Sequence, residues 1–298
     1  MLNRRRFIKM TGSLLLTVAP VGSGMARTGY PQRIATPDRG GTQTLLALDM
    51  VPVVSVEASF YNAMGSTPSL PANIPDAGDP SEPNLELLRY YQVELIVTVT
   101  ISPVVQEQLR RVAPVFALDI YRGYGDTWQH SCDETERLAI ALGRASAAHH
   151  YIRQLAQKIA LTRDRLAHIP LRKFILLGLS TDGRHITVYG RKSIMSAAME
   201  QMGFSDAWRG ETNNYGFTNC GIETLATYTD ASLLVIDYGE SMQAAIAVLN
   251  QSPLWQAMPV VQQRRVFRIG RIEVFGGLPL ADEFTDRFAD ALLRPVRL

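Results

Sequence analysis

The residues best suited to chemistry in this chain suit recognition rather than bond-making. Tyr121-Arg122-Gly123-Tyr124-Gly125-Asp126-Thr127-Trp128 gathers three aromatic rings, two glycines and one guanidinium into one short stretch. Aromatic faces bury the organic part of a ligand, and a guanidinium donates to its oxygen atoms through a planar fork. Four further candidates lie elsewhere. Tyr61 opens a Pro-, Ser- and Gly-rich loop expected to run to Asp79, where it either faces a ligand at a rim or packs beneath the loop. Arg191 sits in Gly190-Arg191-Lys192-Ser193, a turn leading into a helix expected over Ile194–Met202. Tyr215 sits in the polar loop Asn213-Asn214-Tyr215-Gly216, and Phe275 in Glu273-Val274-Phe275-Gly276-Gly277. The expected ligand-binding set is therefore Tyr61, Arg122, Tyr124, Trp128, Arg191, Tyr215 and Phe275.

No comparable grouping points to catalysis. The chain has no Gly-x-Ser-x-Gly elbow, phosphate loop, dinucleotide glycine pattern or His–Cys metal set. An enzyme is not expected, nor a bound metal or resident cofactor. His130, Cys132, Asp133 and Glu134 fit no zinc spacing. Ser131-x-x-Glu134 reads instead as a capping box that opens a helix to Leu142. Cys132 and Cys220 form either a disulfide between two halves of the chain or, the preferred reading, two buried free thiols.

These residues need a scaffold, and its centre is Ser146 to His168. Ala148, Ile152, Leu155, Ile159 and Leu166 form one apolar stripe, opposite Arg153, Gln157, Lys158 and Arg163. Pro170 closes the helix. It serves either as a strut between two lobes or as a crossover helix in one larger domain; the helix alone does not choose. Before it, strands around Arg33–Ala35, Pro52–Val56, Leu95–Val99 and Val115–Asp119 alternate with helices at Thr42–Leu48, from Asn84 onward and at Ser102–Val112. That alternation implies a parallel sheet covered by helices. After it, Lys173–Leu179, Ile186–Tyr189, Leu233–Asp237 and Val266–Ile269 are strands, and Phe284–Leu293 closes a second α/β block. The expected fold class is α/β, with segments 1–26, 27–143, 144–169 and 170–298 as leader, first lobe, linking helix and second lobe.

The leader carries Arg4, Arg5, Arg6 and Lys9 before an apolar run from Met10 to Val21, and ends on the small residues Gly24-Met25-Ala26. Its paired arginines resemble a twin-arginine export signal. Removing those four positive charges turns the formal +2 into −2. A basic whole-chain balance therefore says nothing about nucleic acid, which is not an expected partner. A soluble periplasmic protein beginning near Arg27 is expected.

Four motifs give a more specific reading: Glu82-Pro83-Asn84-Leu85-Glu86-Leu87-Leu88, Tyr189-Gly190-x-x-Ser193, Ala207-Trp208-x-Gly210-Glu211-Thr212-Asn213 and Pro253-Leu254-Trp255-Gln256-Ala257-Met258-Pro259. In this order they resemble the periplasmic substrate-binding proteins of ABC importers for iron–siderophore complexes, most closely the ferric-hydroxamate group. The resemblance implies two α/β lobes joined by one rigid helix, small lobe movement, a monomer, and an inner-membrane ABC permease as partner. It implies capture of a ferric siderophore, hydroxamate type favoured. The alternatives are a ferric catecholate or citrate, cobalamin or haem on the same scaffold. It also implies that Glu86 and Glu223 dock on permease arginines. The family's cleft arginine falls on Pro80 and its cleft tyrosine near Ser102, while its second-lobe tryptophan matches Tyr215 and its late aromatic cluster matches Glu273-Val274-Phe275. Arg122 is then the expected substitute for the missing arginine, with Arg191 behind it.

Overall fold

The structure, a computed structural model, describes residues 29–296. The expected leader lies outside the described residues. The first lobe begins with β1 (Ile34–Thr36), α1 (Arg39–Ala47), β2 (Val54–Ser55) and α2 (Ala58–Ala63). The short ribbon β3 (Gly78–Asp79) and β4 (Glu82–Pro83) comes next, then α3 (Leu85–Tyr90), β5 (Leu95–Thr98), α4 (Pro103–Arg110), β6 (Val115–Ala117) and α5 (Thr127–Ala141). Strands β2, β1, β5 and β6 form a parallel sheet in that order. Ile34, Ala35, Ile96 and Val97 are buried within it, as expected for a sheet covered on both faces. Strand β2 is shorter than the sequence suggests; Pro52 has no N–H to give a ladder.

Two expectations change here. The stretch from Tyr61 is not all loop: Tyr61 lies on α2 and is fully buried. Asn62 organises the chain beyond that helix, donating to the Leu70 carbonyl and accepting the Leu70 N–H. The capping box at Ser131 does not form either. Asp126 caps α5 instead, accepting the Trp128 N–H at 2.8 Å. Ser131 is thus inside the helix, its hydroxyl donating to the Thr127 carbonyl. Glu134 is free of capping duty and pairs with Arg122 and Arg137.

Helix α6 (Ala145–Arg165) connects the two sheets. Its 21 residues span about 32 Å. The expected stripe holds: Ala148, Leu155 and Ile159 are buried. On the opposite face Lys158 pairs with Asp282 and Asp286 of the last helix.

The second lobe runs through β7 (Lys173–Leu179), β8 (His185–Tyr189), α7 (Ile194–Gln201), β9 (Ser205–Asp206), β10 (Phe217–Gly221) and a 3-10 turn at Ile222–Thr227. It continues with β11 (Ser232–Ile236), α8 (Glu240–Leu249), α9 (Pro253–Ala257), α10 (Pro259–Gln262), β12 (Val266–Ile269) and α11 (Leu278–Leu293). The sheet order is β10-β8-β7-β11-β12, with β9 beside β7. Strands β7, β11 and β12 are parallel, while β8 is antiparallel to both neighbours. Side chains alternate across the sheet. Phe174, Leu176, Leu234 and Ile236 join the core under α6, α7 and α11. Ile175, Leu177, Leu233 and Val235 join the core under α8 to α10.

The lobes meet along α1 and α11. Gly40 lets them approach: a Cβ there would lie 3.2 Å from the Gly276 Cα and 3.1 Å from Val99. Below, Glu283 is buried between Arg287, the Gln43 amide and the Thr67 N–H. Both cysteines are free and partly buried, and burial pushes the Cys132 thiol up to about 11.

Candidate ligand-binding cleft

Parallel strands end together, so the loops after them share one edge, which is where α/β sheets bind ligands. From the first lobe, β1 leads to Asp38 and Arg39, β2 to Glu57, β5 to Thr100 and β6 to Tyr121. From the second, β11 leads to Tyr238 and β12 to Arg271, Glu273 and Phe275. Asp38 fixes the base of this edge. Its Oδ1 accepts the Gly41 N–H at 2.6 Å, capping α1. Its Oδ2 accepts from the Thr98 hydroxyl and from the N–H groups of Val99 and Thr100.

Above Asp38, Arg39 is held by two carboxylates, one from each lobe. Its Nε donates to Glu273 and its Nη1 to Glu57. Glu273 is only 6% exposed and is set in place by the N–H groups of Val274 and Phe275. Burial lowers the pKa of Arg39, but Glu273 and Glu57 outweigh it and raise the net value. The guanidinium also lies over the Phe60 ring, 5.2 Å from its centroid. Asp38, Arg39, Glu57, Glu273, Phe275 and Pro80 are among the residues that line a recess of about 100 Å³.

Beside the recess stands an aromatic group drawn from both lobes. Tyr121 meets Tyr215 at 5.6 Å and Phe275 at 6.3 Å between centroids. Tyr215 meets Phe275 at 5.8 Å, and Phe217 meets Phe275 at 5.6 Å. The Tyr121 hydroxyl lies on the Gly276 backbone. Burial pushes its pKa above the usual phenol range, and the charges of Glu273 and Asp38 add to that. A second phenol pair, Tyr189 and Tyr238, lies 3.2 Å apart, oxygen to oxygen. Burial raises both, so each is a neutral hydrogen-bonding group near pH 7. A larger cavity, of about 870 Å³, lies at the opposite edge of the first sheet, against Arg33, Glu94 and Pro114. It adjoins Gly29, where the described residues begin, and it gathers none of these functional side chains.

The cleft brings together two of the seven candidate ligand residues, Tyr215 and Phe275. Tyr61 is removed from it by burial, its hydroxyl donating to the Pro68 carbonyl at 2.6 Å. Arg122 donates to the Asp119 carbonyl and to Glu134 and also pairs with the Asp119 carboxylate. Tyr124 is 72% exposed and meets the edge of His130. Trp128 lies in the first turn of α5 and packs on the core beneath α11. Arg191 is exposed in the turn before α7, where its charge acts on Asp206. Glu86 and Glu223 are both exposed, in the first turns of α3 and of the 3-10 helix. Sequence reasoning missed Arg39, Glu57, Phe217, Tyr189 and Tyr238 as cleft residues. A signal for Arg39 existed in Asp38-Arg39-Gly40-Gly41, a cap and glycines between a strand and a helix.

Among the described residues no helix is long and apolar enough to cross a membrane, and no three His, Cys, Asp or Glu side chains cluster as metal ligands.

Residues 34–272 match the family model described as periplasmic binding protein. The chain is 32% identical over 254 residues to the iron(3+)-hydroxamate-binding protein FhuD of Escherichia coli strain K12, covering 85% of this chain and 84% of that protein. It is 26% identical to the achromobactin-binding periplasmic protein of Dickeya dadantii strain 3937, covering 97% and 95%. Among solved structures, the Fe3+–Desferal-bound siderophore-binding protein FhuD of Vibrio cholerae superposes with a TM-score of 0.78 at 22% identity, covering 88% of this chain and 98% of that one.

Proposed function

Since the chain belongs to the periplasmic binding protein family, we propose that it is the substrate-binding component of an ABC importer and that it captures a ferric siderophore, hydroxamate type, in the cleft between its lobes. The observation that carries the ligand reading is the aromatic group of Tyr121, Tyr215, Phe217 and Phe275, contributed by both lobes beside the Arg39 recess. Its relative from Escherichia coli is named for iron(3+)-hydroxamate.

Capture needs no bond-making by the protein, and it acts without a resident cofactor. The siderophore's own oxygens ligate the iron, which is cargo. The rings bury the organic shell, and neutral phenols with Arg39 donate to peripheral oxygens. The linking helix, pinned to α11 through Lys158, and the broad contact of α1 with α11 support small lobe movement. Glu86 and Glu223, exposed at helix starts, are the proposed contacts to arginines of the permease. The protein acts as a monomer in the periplasm, exported through its twin-arginine-type leader.

The achromobactin-binding relative supports a second reading, a different ferric chelate on the same scaffold. Mature protein mixed with a ferric trihydroxamate and passed through a gel-filtration column decides the matter. Co-elution of the chelate's visible band is expected. A colourless protein peak, with colour retained only from another chelate, would replace hydroxamate with that chelate.

A further inference from the structure

Pro80 and Arg39 line the same recess, together with Glu57, Thr100, Glu273 and Phe275. Arg39 uses Nε and Nη1 for its two carboxylates. Its Nη2 and the second Nη1 proton have no partner among the described residues, and its side chain is 23% exposed. A guanidinium clamped on two edges is oriented before a ligand arrives, so little side-chain freedom is lost on binding.

The surroundings also set a charge. Two carboxylates face one guanidinium, and the Asp38 carboxylate lies below them, committed to the strand ends and α1. The nearby Arg271 donates to the Tyr238 carbonyl and is exposed, where solvent screens it. The recess therefore carries excess negative charge. In a ferric trihydroxamate, three monoanionic groups cancel the charge of iron(III). In a ferric tris-catecholate, three dianionic groups leave it strongly negative. Repulsion of the wrong ligand discriminates as effectively as attraction of the right one.

We propose that Arg39 is the specificity-determining donor of the cleft, presenting its free N–H groups to chelate oxygens, while Glu57 and Glu273 restrict the chelate to one without net negative charge. This rests on the ferric-siderophore reading above.

The test compares wild type, Arg39→Gln, Arg39→Lys and Glu57→Gln for affinity toward ferrichrome, an uncharged ferric trihydroxamate, and toward a ferric tris-catecholate. Arg39→Gln should weaken ferrichrome binding tenfold or more, with Arg39→Lys recovering part of the loss. Glu57→Gln should raise the ratio of catecholate to ferrichrome affinity tenfold or more. That ratio is read within one protein, so a general loss of folding would not move it. Unchanged ferrichrome affinity in Arg39→Gln, or an unchanged ratio in Glu57→Gln, would overturn the proposal while leaving the ferric-siderophore reading intact. A wild type that binds no ferric chelate would overturn both.

Discussion

The Tyr121 hydroxyl, on the first lobe, donates to the carbonyl of Gly276, on the second, at 2.8 Å. The same oxygen accepts the Gly276 N–H at 3.1 Å. One phenol thus joins the lobes beside the cleft, and its ring also belongs to the aromatic group. Tyr121→Phe keeps the ring and removes both bonds. It should destabilise the protein by about 1–2 kcal/mol, since the buried Gly276 groups lose their partner. Urea denaturation measures this; an unchanged midpoint would mean that the pair contributes nothing to lobe contact.

Removing rings should act on binding instead. Phe275→Ala takes away a ring that touches Tyr121, Tyr215 and Phe217. Aromatic anchors of this kind contribute about 1–3 kcal/mol. Affinity for a ferric hydroxamate should fall roughly tenfold to a hundredfold, read by quenching of intrinsic fluorescence.

Gly40→Ala tests how closely the lobes must approach. The added Cβ would meet backbone, the Gly276 Cα and the Phe275 carbonyl, both at 3.2 Å. Neither can rotate aside, so the backbone there must give by a few tenths of an ångström. A stability loss of about 1–3 kcal/mol is expected from thermal melting.

Arg122→Ala should reveal a structural role. It strips a partner from Glu134, whose side chain is only 5% exposed and is then left with Arg137. An under-compensated buried carboxylate is costly. The melting midpoint should fall by an amount equivalent to about 1–3 kcal/mol.

Asp206 makes stability depend on pH. Burial raises its pKa from 3.8 to about 6, against the opposing effects of the Trp208 N–H and Arg191. Because the folded value lies above the unfolded one, the folded state holds the proton more tightly. The associated stability is present below the unfolded pKa and is lost as pH rises from about 4 to about 6. Asp206→Asn does not titrate. Its stability relative to wild type should therefore rise by roughly 2–3 kcal/mol across that window. Denaturant midpoints at several pH values check this; parallel profiles would contradict it.

The architecture was legible because it is written in periodicity. Buried β-branched runs such as Leu95–Val99, and the stripe Ala148, Leu155 and Ile159, depend on near neighbours in sequence. The boundaries were less so. Asp126 and Ser131 are both competent caps, and the choice between them was settled by tertiary contact: Glu134 is held by Arg122 and Arg137 rather than reaching back to a helix start. The cleft was legible in its aromatic residues Tyr121, Tyr215 and Phe275. Its polar centre joins residues 39, 57 and 273, which no local pattern relates. Arg122 drew notice because it stands among aromatics; its link to the Glu134 carboxylate, midway along α5, is a contact that no local pattern announces.

The most direct measurement is calorimetric titration of the protein with ferrichrome. A saturable one-to-one complex is the predicted result, with affinity lowered in Phe275→Ala. Absence of binding at any accessible concentration, with the protein shown to be folded by thermal melting, would contradict the account of this chain as a ferric-hydroxamate carrier.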